Sequence, residues 1–192
     1  MIRRCEAKAT CRYIGIKEEN IHFLNLPFYE TGTVEKKPMS EKDIKITMEL
    51  LRKIKPHQVY CAGDFADPHG THIVCFNIVL EALKRISAGS RGKKAGDEWI
   101  SDCWLWLYKG AWQEWNIEEI EMAIPMSPDQ VMAKRFGIFI HQSQKDMVPF
   151  QGSDSREFWQ RAEERNAATA QLYAGLGLTH YAGMEAFVRW KY

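Results

Sequence analysis

The sequence predicts an α/β protein in which a mostly parallel, Rossmann-like sheet is flanked by helices. Over residues 3–86, predicted helices and strands alternate in the order helix, strand, helix, strand, helix. This order is typical of parallel strands joined by crossover helices. The chain has 192 residues and is 45% hydrophobic, which is enough for a sizeable core. Residues 59–72 run from an apolar strand through a polar loop into a helix, as at the carboxyl edge of an open α/β sheet.

The first half of the chain contains the clearest helix boundaries. Gly15 ends the first predicted helix, because glycine is a common helix terminator. Ser40 caps the second with Asp43 three residues later, as in a variant capping box, and Pro56 ends that helix. The predicted elements are a helix over residues 3–13, a strand over 21–26, a helix over 41–55, a strand over 57–62 and a helix over 72–86.

The second half is richer in aromatic residues and begins with a glycine-rich basic segment, residues 87–97. We expect that segment to be an exposed loop within a single domain spanning residues 1–192. The charges of residues 161–166 are expected to form a solvated helix face. The remaining predicted elements are strands over residues 99–108 and 117–124, helices over 128–142 and 155–174, and an edge strand over 181–190.

Composition argues against several classes of protein. The formal net charge is +1, with basic and acidic residues interspersed, so neither nucleic acid nor a membrane surface is an expected partner. Five cysteines without a Cys-x-x-Cys pair, most of them in apolar surroundings, indicate buried free thiols in a reducing compartment. We find neither a signal peptide nor an apolar run of the ~18 residues that span a bilayer, and we expect a cytoplasmic protein. Glycine-rich nucleotide-binding motifs are also absent from the sequence.

The strongest candidate site is the polar loop that follows the strand at residues 57–62. It contains Asp64, Asp67, His69 and His72. Histidines three residues apart at the start of a helix lie on one face, and imidazoles with nearby carboxylates suit zinc. The alternative is that the two histidines only cap or decorate the helix N-terminus. A catalytic zinc needs three protein ligands, and this loop supplies at most two or three candidates.

Two other polar segments could bind a substrate. Arg3 and Arg4 could bind an anion near the start of the first helix, or they could be ordinary solvated residues. His141 to Gln144 place four polar side chains at the end of a helix, where a histidine can also serve only to complement the helix dipole.

Several segments together resemble a known family. They are Arg3-x-x-Glu6 followed by an alanine-rich helix and Gly15, the predicted strand from Phe23-Leu24 to Pro27, the run Ile54-Lys55-Pro56-His57-Gln58-Val59, the motif Asp67-Pro68-His69-Gly70-Thr71-His72, the His141–Gln144 segment, and Arg165-Asn166. In these segments the chain is similar to the PIG-L/LmbE-like family of zinc-dependent N-deacetylases. Those enzymes remove acetyl groups from N-acetylglucosaminyl substrates. The resemblance is strongest to a bacterial subgroup in which this domain is fused to a glucosamine-6-phosphate deaminase-like domain.

The resemblance implies roles for individual residues. His72 would be a zinc ligand, and His69 would act beside the metal as an acid or an oxyanion-stabilising group. The family's motif has an aspartate where this chain has Thr71, and Asp67 is the candidate to replace it. Arg3, His141 and Gln144 would contact the substrate. The implied cofactor is zinc, the implied substrate is an amino sugar, and the implied assembly is a homo-oligomer.

One family motif has no counterpart in residues 1–192. The family's His-Pro-Asp-Asp segment carries further zinc ligands and the general base, and nothing in this sequence matches it. We therefore expect a domain without the family's first strand and helix, an incomplete zinc site and impaired activity. Two rival hypotheses are a protein associated with glucosamine-6-phosphate deaminase or isomerase activity, and a non-catalytic assembly module that uses the aromatic-rich second half as an interface.

Overall fold

The computed structural model describes residues 2–31, 36–65, 70–91, 96–111, 113–144 and 155–192. Short 3-10 helices lie at Glu18–Asn20, Glu98–Asp102 and Ile117–Glu119. Within the described ranges, no helix is long and apolar enough to cross a membrane. The main elements are α1 (Ile2–Tyr13), α2 (Glu41–Ile54), β1 (Gln58–Ala62), α3 (Thr71–Arg91), β2 (Trp104–Tyr108), β3 (Met122–Met126), α4 (Pro128–Phe139), α5 (Phe158–Gly175) and β4 (Gly183–Trp190).

The four strands form one sheet in the order β1-β2-β4-β3, flanked by helices. β1 runs parallel to β2, whereas β4 runs antiparallel to β2 with Trp190 opposite Leu105. The predicted α/β class is confirmed, but the sheet is mixed rather than mostly parallel. The prediction of an edge strand at residues 181–190 is wrong, because β4 lies between β2 and β3.

The chain divides into two compact units. The first unit comprises Met1–His22 and Lys109–Ala186, and the second comprises Phe23–Tyr108 and Phe187–Tyr192. The prediction of a single domain over residues 1–192 stays a prediction.

The second unit has a conventional apolar core. Ile78, Ala82, Leu83 and Ile86 recur at helical spacing along α3, and each is fully buried. In β2, Leu105, Trp106 and Leu107 are buried in succession, as expected for a strand that is covered on both faces.

The first unit buries small apolar side chains together with polar ones. Ala162 and Ala170 of α5 are buried, but so are Arg161, Asn166 and Thr169 on the same helix. The prediction of a solvated face over residues 161–166 is therefore wrong. Polar side chains are stable at such positions when they have hydrogen-bond partners, and the partners of Asn166 and Thr169 are described below.

Three predicted strands differ from the structure: the one at residues 21–26 is absent, and those at 99–108 and 117–124 begin later than predicted. Residues 21–26 do not form a strand, and Asn25 adopts a left-handed φ of 50°, which breaks an extended run. In the other two, a 3-10 helix takes the place of the first residues, so that β2 begins at Trp104 and β3 at Met122. Apolar runs do not by themselves show where sheet pairing begins.

The predicted exposed loop at residues 87–97 is wrong in its described parts. Residues 87–91 are the last residues of α3, and residues 92–95 lie outside the described ranges. Asp97 is 3% exposed, and its Oδ2 lies 2.8 Å from Nη2 of Arg52. Because the guanidinium also donates through Nε at 3.0 Å, it holds the buried carboxylate in two-point contact.

Asp43 joins the start of α2 to the preceding segment. It is fully buried, and its carboxylate accepts hydrogen bonds from the backbone N–H of Phe28 at 3.0 Å and of Ser40 at 2.9 Å. Burial opposes ionisation, but these bonds and one from the Ser40 hydroxyl outweigh it and hold the pKa of Asp43 below its ordinary value.

We predict that Asp43→Asn destabilises the protein by about 1–3 kcal/mol, because buried donors lose a charged acceptor. The folded pKa is depressed, so this stabilisation is present above the unfolded pKa of about 4 and is lost as the pH falls through the lower folded value. Urea unfolding at pH 7 and at pH 3 measures both effects. The matched control is Glu49→Gln on the exposed face of α2, which should leave stability unchanged. Equal losses in the two variants would contradict the assignment.

Candidate functional site

The carboxyl end of β1 is fixed by a neighbouring strand. The backbone N–H of Gly63 donates to the carbonyl oxygen of Tyr108 at 2.7 Å, so the chain that leaves β1 stays beside the end of β2. Asp64, the next residue, is 8% exposed. Phe65 follows and packs against Phe76 of α3, with ring centroids 4.8 Å apart. A buried carboxylate therefore lies at the edge of the sheet where α/β proteins build their sites.

His72 lies in the first turn of α3 and is exposed. The helix begins where the carbonyl oxygen of Gly70 accepts the N–H of Val74, and Gly70 has a φ of +64°, a conformation that favours glycine. Asp67 and His69 lie outside the described residues, and their roles stay predictions.

In the first unit, Glu6 joins α1 to the turn that follows α4. Its Oε1 accepts the backbone N–H of Ser143 at 2.8 Å, and its Oε2 accepts the Ser143 hydroxyl at 2.6 Å. These hydrogen bonds, with smaller electrostatic contributions from His141 and Arg3, hold the pKa of Glu6 below its ordinary value. The structure thus brings Arg3 and His141, which are far apart in sequence, to one carboxylate. We call Arg3, Glu6, His141 and Ser143 the Glu6 cluster.

Gln144 belongs to the same turn as His141. Its backbone N–H donates to the carbonyl oxygen of His141 at 2.9 Å, and the residue is half-buried. The predicted substrate-binding residues Arg3, His141 and Gln144 therefore all lie at or beside the Glu6 cluster. Guanidinium, imidazole, amide and hydroxyl groups at one place can hydrogen-bond a hydroxylated small molecule. Their role as substrate contacts stays a prediction.

A second polar cluster lies in the interior of the first unit. The side chain of Arg165 is 8% exposed and pairs with Glu114, whose Oε2 lies 2.7 Å away, and with Glu185. Lys134 pairs with the other oxygen of Glu185 at 2.6 Å. We call these four residues the Arg165 cluster. It connects α4, α5 and β4 with the segment that contains Glu114.

Two further residues of α5 complete the hydrogen bonding of this cluster. Asn166 donates to the carbonyl oxygen of Met184 at 2.7 Å and accepts from Lys134 at 2.7 Å. The hydroxyl of Thr169 lies 3.1 Å from Glu114. These contacts account for the burial of Asn166 and Thr169 on α5.

The two carboxylates of the Arg165 cluster differ in their electrostatics. Burial raises the pKa of Glu114, although Arg165 opposes this effect. Burial acts in the same direction on Glu185, but Lys134 and Arg165 outweigh it and hold the pKa of Glu185 below its ordinary value. The two carboxylates and the two cationic side chains balance each other's charge, so the cluster is best described as a structural ion network. Our sequence reasoning missed it, although an acid inside the apolar run of β4 was a usable signal.

The described residues do not by themselves fit a zinc centre. Across those residues, no group of three or more His, Cys, Asp and Glu side chains could hold a metal ion. His72 is the one predicted ligand that the structure describes. The five cysteines are free thiols, but the prediction that they are buried is wrong for Cys5 and Cys75, which are exposed, and of the five only Cys103 is fully buried. Burial, with a smaller contribution from Cys75, raises the pKa of the Cys61 thiol to about 12, which disfavours the thiolate that a metal would require.

Comparison with known proteins finds a family match in the first part of the chain. Residues 1–83 match the family described as PIG-L: GlcNAc-PI de-N-acetylase. The matched residues include Arg3, Glu6 and His72. The resemblance found in the sequence is confirmed, and the match supports a deacetylase-like function.

A close relative occurs in Bacteroides thetaiotaomicron and is named a glucosamine-6-phosphate deaminase-like protein. It is 52% identical to this chain over 190 residues, which is 99% of the chain. The same residues make up 28% of the relative, so the chain spans little more than a quarter of that protein's length.

Three solved structures share the fold. The 4-carboxy-2-hydroxymuconate hydratase GalB of Pseudomonas putida KT2440 is 15% identical, with a TM-score of 0.68 over 100% of this chain and 72% of that chain. The conserved protein TT1542 of Thermus thermophilus is 16% identical, with a TM-score of 0.62 over 97% and 72%. A deacetylase of teicoplanin biosynthesis is 12% identical, with a TM-score of 0.56 over 99% and 73%. A hydratase and a deacetylase therefore share one fold, and the fold alone does not decide the reaction.

We predict that Glu6→Ala loosens the turn at residues 141–144. Because the N–H of Ser143 donates to Glu6, its removal should accelerate amide hydrogen exchange at Ser143. Exchange measured by NMR reports this amide directly. Glu19→Ala removes an exposed carboxylate from the same unit and should leave Ser143 unchanged. Unchanged exchange at Ser143 in Glu6→Ala would contradict the proposed link.

Proposed function

We propose that this chain is part of a hydrolase that removes the N-acetyl group from an amino sugar. The observation that carries the proposal is the match of residues 1–83 to a de-N-acetylase family. That match includes both α1 with Arg3 and the segment from β1 to α3 with Asp64 and His72. This chain corresponds to only 28% of the Bacteroides relative. The activity of a whole protein of that kind is therefore part of the proposal.

The proposed reaction centre is the carboxyl end of β1. Hydrolysis of an amide requires a base that takes a proton from water and an acid that protonates the leaving amine. We assign the acid role to His69 and the orientation of that histidine to Asp67, as the family resemblance implies. Asp64 supports this location, because it is a buried carboxylate beside the same loop.

Zinc enters the proposal through His72. An exposed imidazole in the first turn of α3 is accessible from solvent and suits a metal ligand. When bound, zinc would supply an acidic water and polarise the acetyl carbonyl. Because the described residues do not complete a zinc centre, we derive no catalytic step through the metal.

The proposed substrate contacts are Arg3, His141 and Gln144. The support is that Arg3 and His141 both contribute to lowering the pKa of Glu6, and that the backbone N–H of Gln144 donates to the carbonyl oxygen of His141. A guanidinium and an imidazole near one carboxylate can both donate hydrogen bonds to sugar hydroxyls.

The decisive assay is acetate release from N-acetylglucosaminyl substrates in the presence of zinc. We expect acetate from the full-length Bacteroides relative and little from the 192-residue chain alone. In the 192-residue chain, His72→Ala should weaken zinc binding by at least about tenfold, because it removes the proposed zinc ligand. The control His57→Ala removes an exposed imidazole of the same unit and should leave zinc affinity unchanged. Equilibrium dialysis measures the affinity.

Either of two results would overturn this proposal. One is the absence of acetate release from both proteins. The other is equal zinc affinity in the wild-type chain and the His72→Ala variant. Strong acetate release by the 192-residue chain alone would instead refute the incomplete-site part of the prediction.

A second candidate function is favoured by the name of the relative. The Bacteroides relative is 52% identical to this chain and is named a glucosamine-6-phosphate deaminase-like protein. Deamination of glucosamine 6-phosphate is therefore the second reaction to test. We expect no ammonia release from glucosamine 6-phosphate by the 192-residue chain. Ammonia release that persists in the His69→Ala, His72→Ala double variant would favour the deaminase over the deacetylase. Homo-oligomer formation, pairing with a deaminase-like domain and the assembly-module role remain predictions.

A further inference from the structure

The second unit contains a cavity of about 310 Å³ where β2 begins and β4 ends. Its walls come from Ser87 of α3, from the 3-10 helix Glu98–Asp102, from Trp104 of β2, and from residues 189–192. The volume is within the range of small-molecule sites, which is roughly 300–1,000 Å³.

This cavity is separate from the loop that carries His72. Gly63 and Asp64 follow β1 beside Tyr108, which is the last residue of β2. The cavity lies beside Trp104, which is the first residue of β2. Four residues of an extended strand separate the two ends by about 13 Å. A ligand in the cavity would therefore occupy a different site from the proposed reaction centre.

The cavity has a positive lining. Among the lining residues that the structure describes, the charged side chains are Arg189 and Lys191. The guanidinium carbon of Arg189 lies 3.3 Å from the centroid of the Trp104 ring, so the cation is held in place by the aromatic face. A guanidinium fixed beside an ammonium is suited to bind phosphate, because the guanidinium can donate two parallel hydrogen bonds to its oxygens.

The remaining walls are aromatic and hydroxylated. Trp190 is 38% exposed and presents ring surface to a ligand. The ring of Trp104 stacks on Trp106, with centroids 5.8 Å apart, and carries the guanidinium of Arg189, so its role in the cavity is to position that cation. Trp190 is held from one side by Phe76, with ring centroids 5.3 Å apart. The hydroxyls of Ser87 and Tyr192 also line the cavity, and that of Tyr192 donates to the carbonyl oxygen of Cys103 at 2.7 Å. Indole surface and hydroxyl groups together suit the C–H faces and the hydroxyls of a sugar ring.

We propose that this cavity is a binding site for a sugar phosphate. Arg189, positioned by Trp104, and Lys191 receive the phosphate, and Trp190 and the hydroxyls of Ser87 and Tyr192 receive the sugar. The site does not depend on the proposed deacetylase reaction, because none of its residues belongs to the β1–α3 loop or to the Glu6 cluster.

Isothermal titration calorimetry of the 192-residue chain with glucose 6-phosphate tests the proposal. We expect saturable binding that weakens with salt. Arg189→Gln and Lys191→Gln should each weaken it about tenfold or more, because each removes a charged hydrogen-bond donor. Lys53→Gln removes the same charge from an exposed position on α2 outside the cavity and should bind as the wild type does. Thermal unfolding of each variant checks that the fold is retained.

Comparison ligands separate the two halves of the site. Glucose should bind at least tenfold more weakly than glucose 6-phosphate because it lacks the phosphate, and inorganic phosphate should bind more weakly because it lacks the sugar. Absence of saturable binding would overturn the proposal. The proposal would also be overturned if Lys53→Gln lost as much affinity for glucose 6-phosphate as Lys191→Gln. Equal affinities for inorganic phosphate and glucose 6-phosphate would overturn it as well. The calorimetry does not measure acetate release, so absence of glucose 6-phosphate binding would not contradict the proposed deacetylase function. Absence of acetate release would likewise not contradict the sugar-phosphate site.

Discussion

The burial of β2 is the constraint on which the second unit depends. Leu105, Trp106 and Leu107 are buried in succession, and this requires β1 on one edge and β4 on the other to satisfy the backbone of the strand. At its carboxyl end, the carbonyl oxygen of Tyr108 accepts the N–H of Gly63 and so sets the position of Asp64. Its amino end contributes Trp104 to the cavity. One buried strand thus positions both the proposed reaction centre and the proposed sugar-phosphate site.

Buried charge is the second organising feature, and several of the buried charged side chains have oppositely charged or hydrogen-bonding partners. Asp43 is held by backbone and hydroxyl donors, and Asp97 by the fork of Arg52. In the first unit the Arg165 cluster takes the place that large apolar side chains have in the second, because its buried apolar residues on α5 are alanines. Paired charges of this kind contribute less stability than an apolar core, but the loss of one partner is costly.

The fold alone does not decide the function of this protein. Proteins described as a hydratase and as a deacetylase share this architecture at low sequence identity, so the architecture permits more than one chemistry. The family match narrows the reaction for the part of the chain that contains α1 and the β1–α3 loop. The Glu6 cluster adds a physical reason for the sequence pattern, because Arg3 and Glu6 stand one helical turn apart and Glu6 accepts hydrogen bonds from Ser143 in the turn that follows α4.

The sequence by itself determined the α/β class, most helices and the β1–α3 loop, because helix caps and apolar periodicity are local signals. Ser40 and Ser127 begin α2 and α4 as predicted, each with a capping box. Only the tertiary structure decided the antiparallel, internal position of β4, the burial of Asp97 and Arg165, and the hydrogen bonds that join Glu6 to Ser143. Strand order and ion pairing join residues that are far apart in the chain, and no local pattern encodes which of many polar residues will find a partner in the interior.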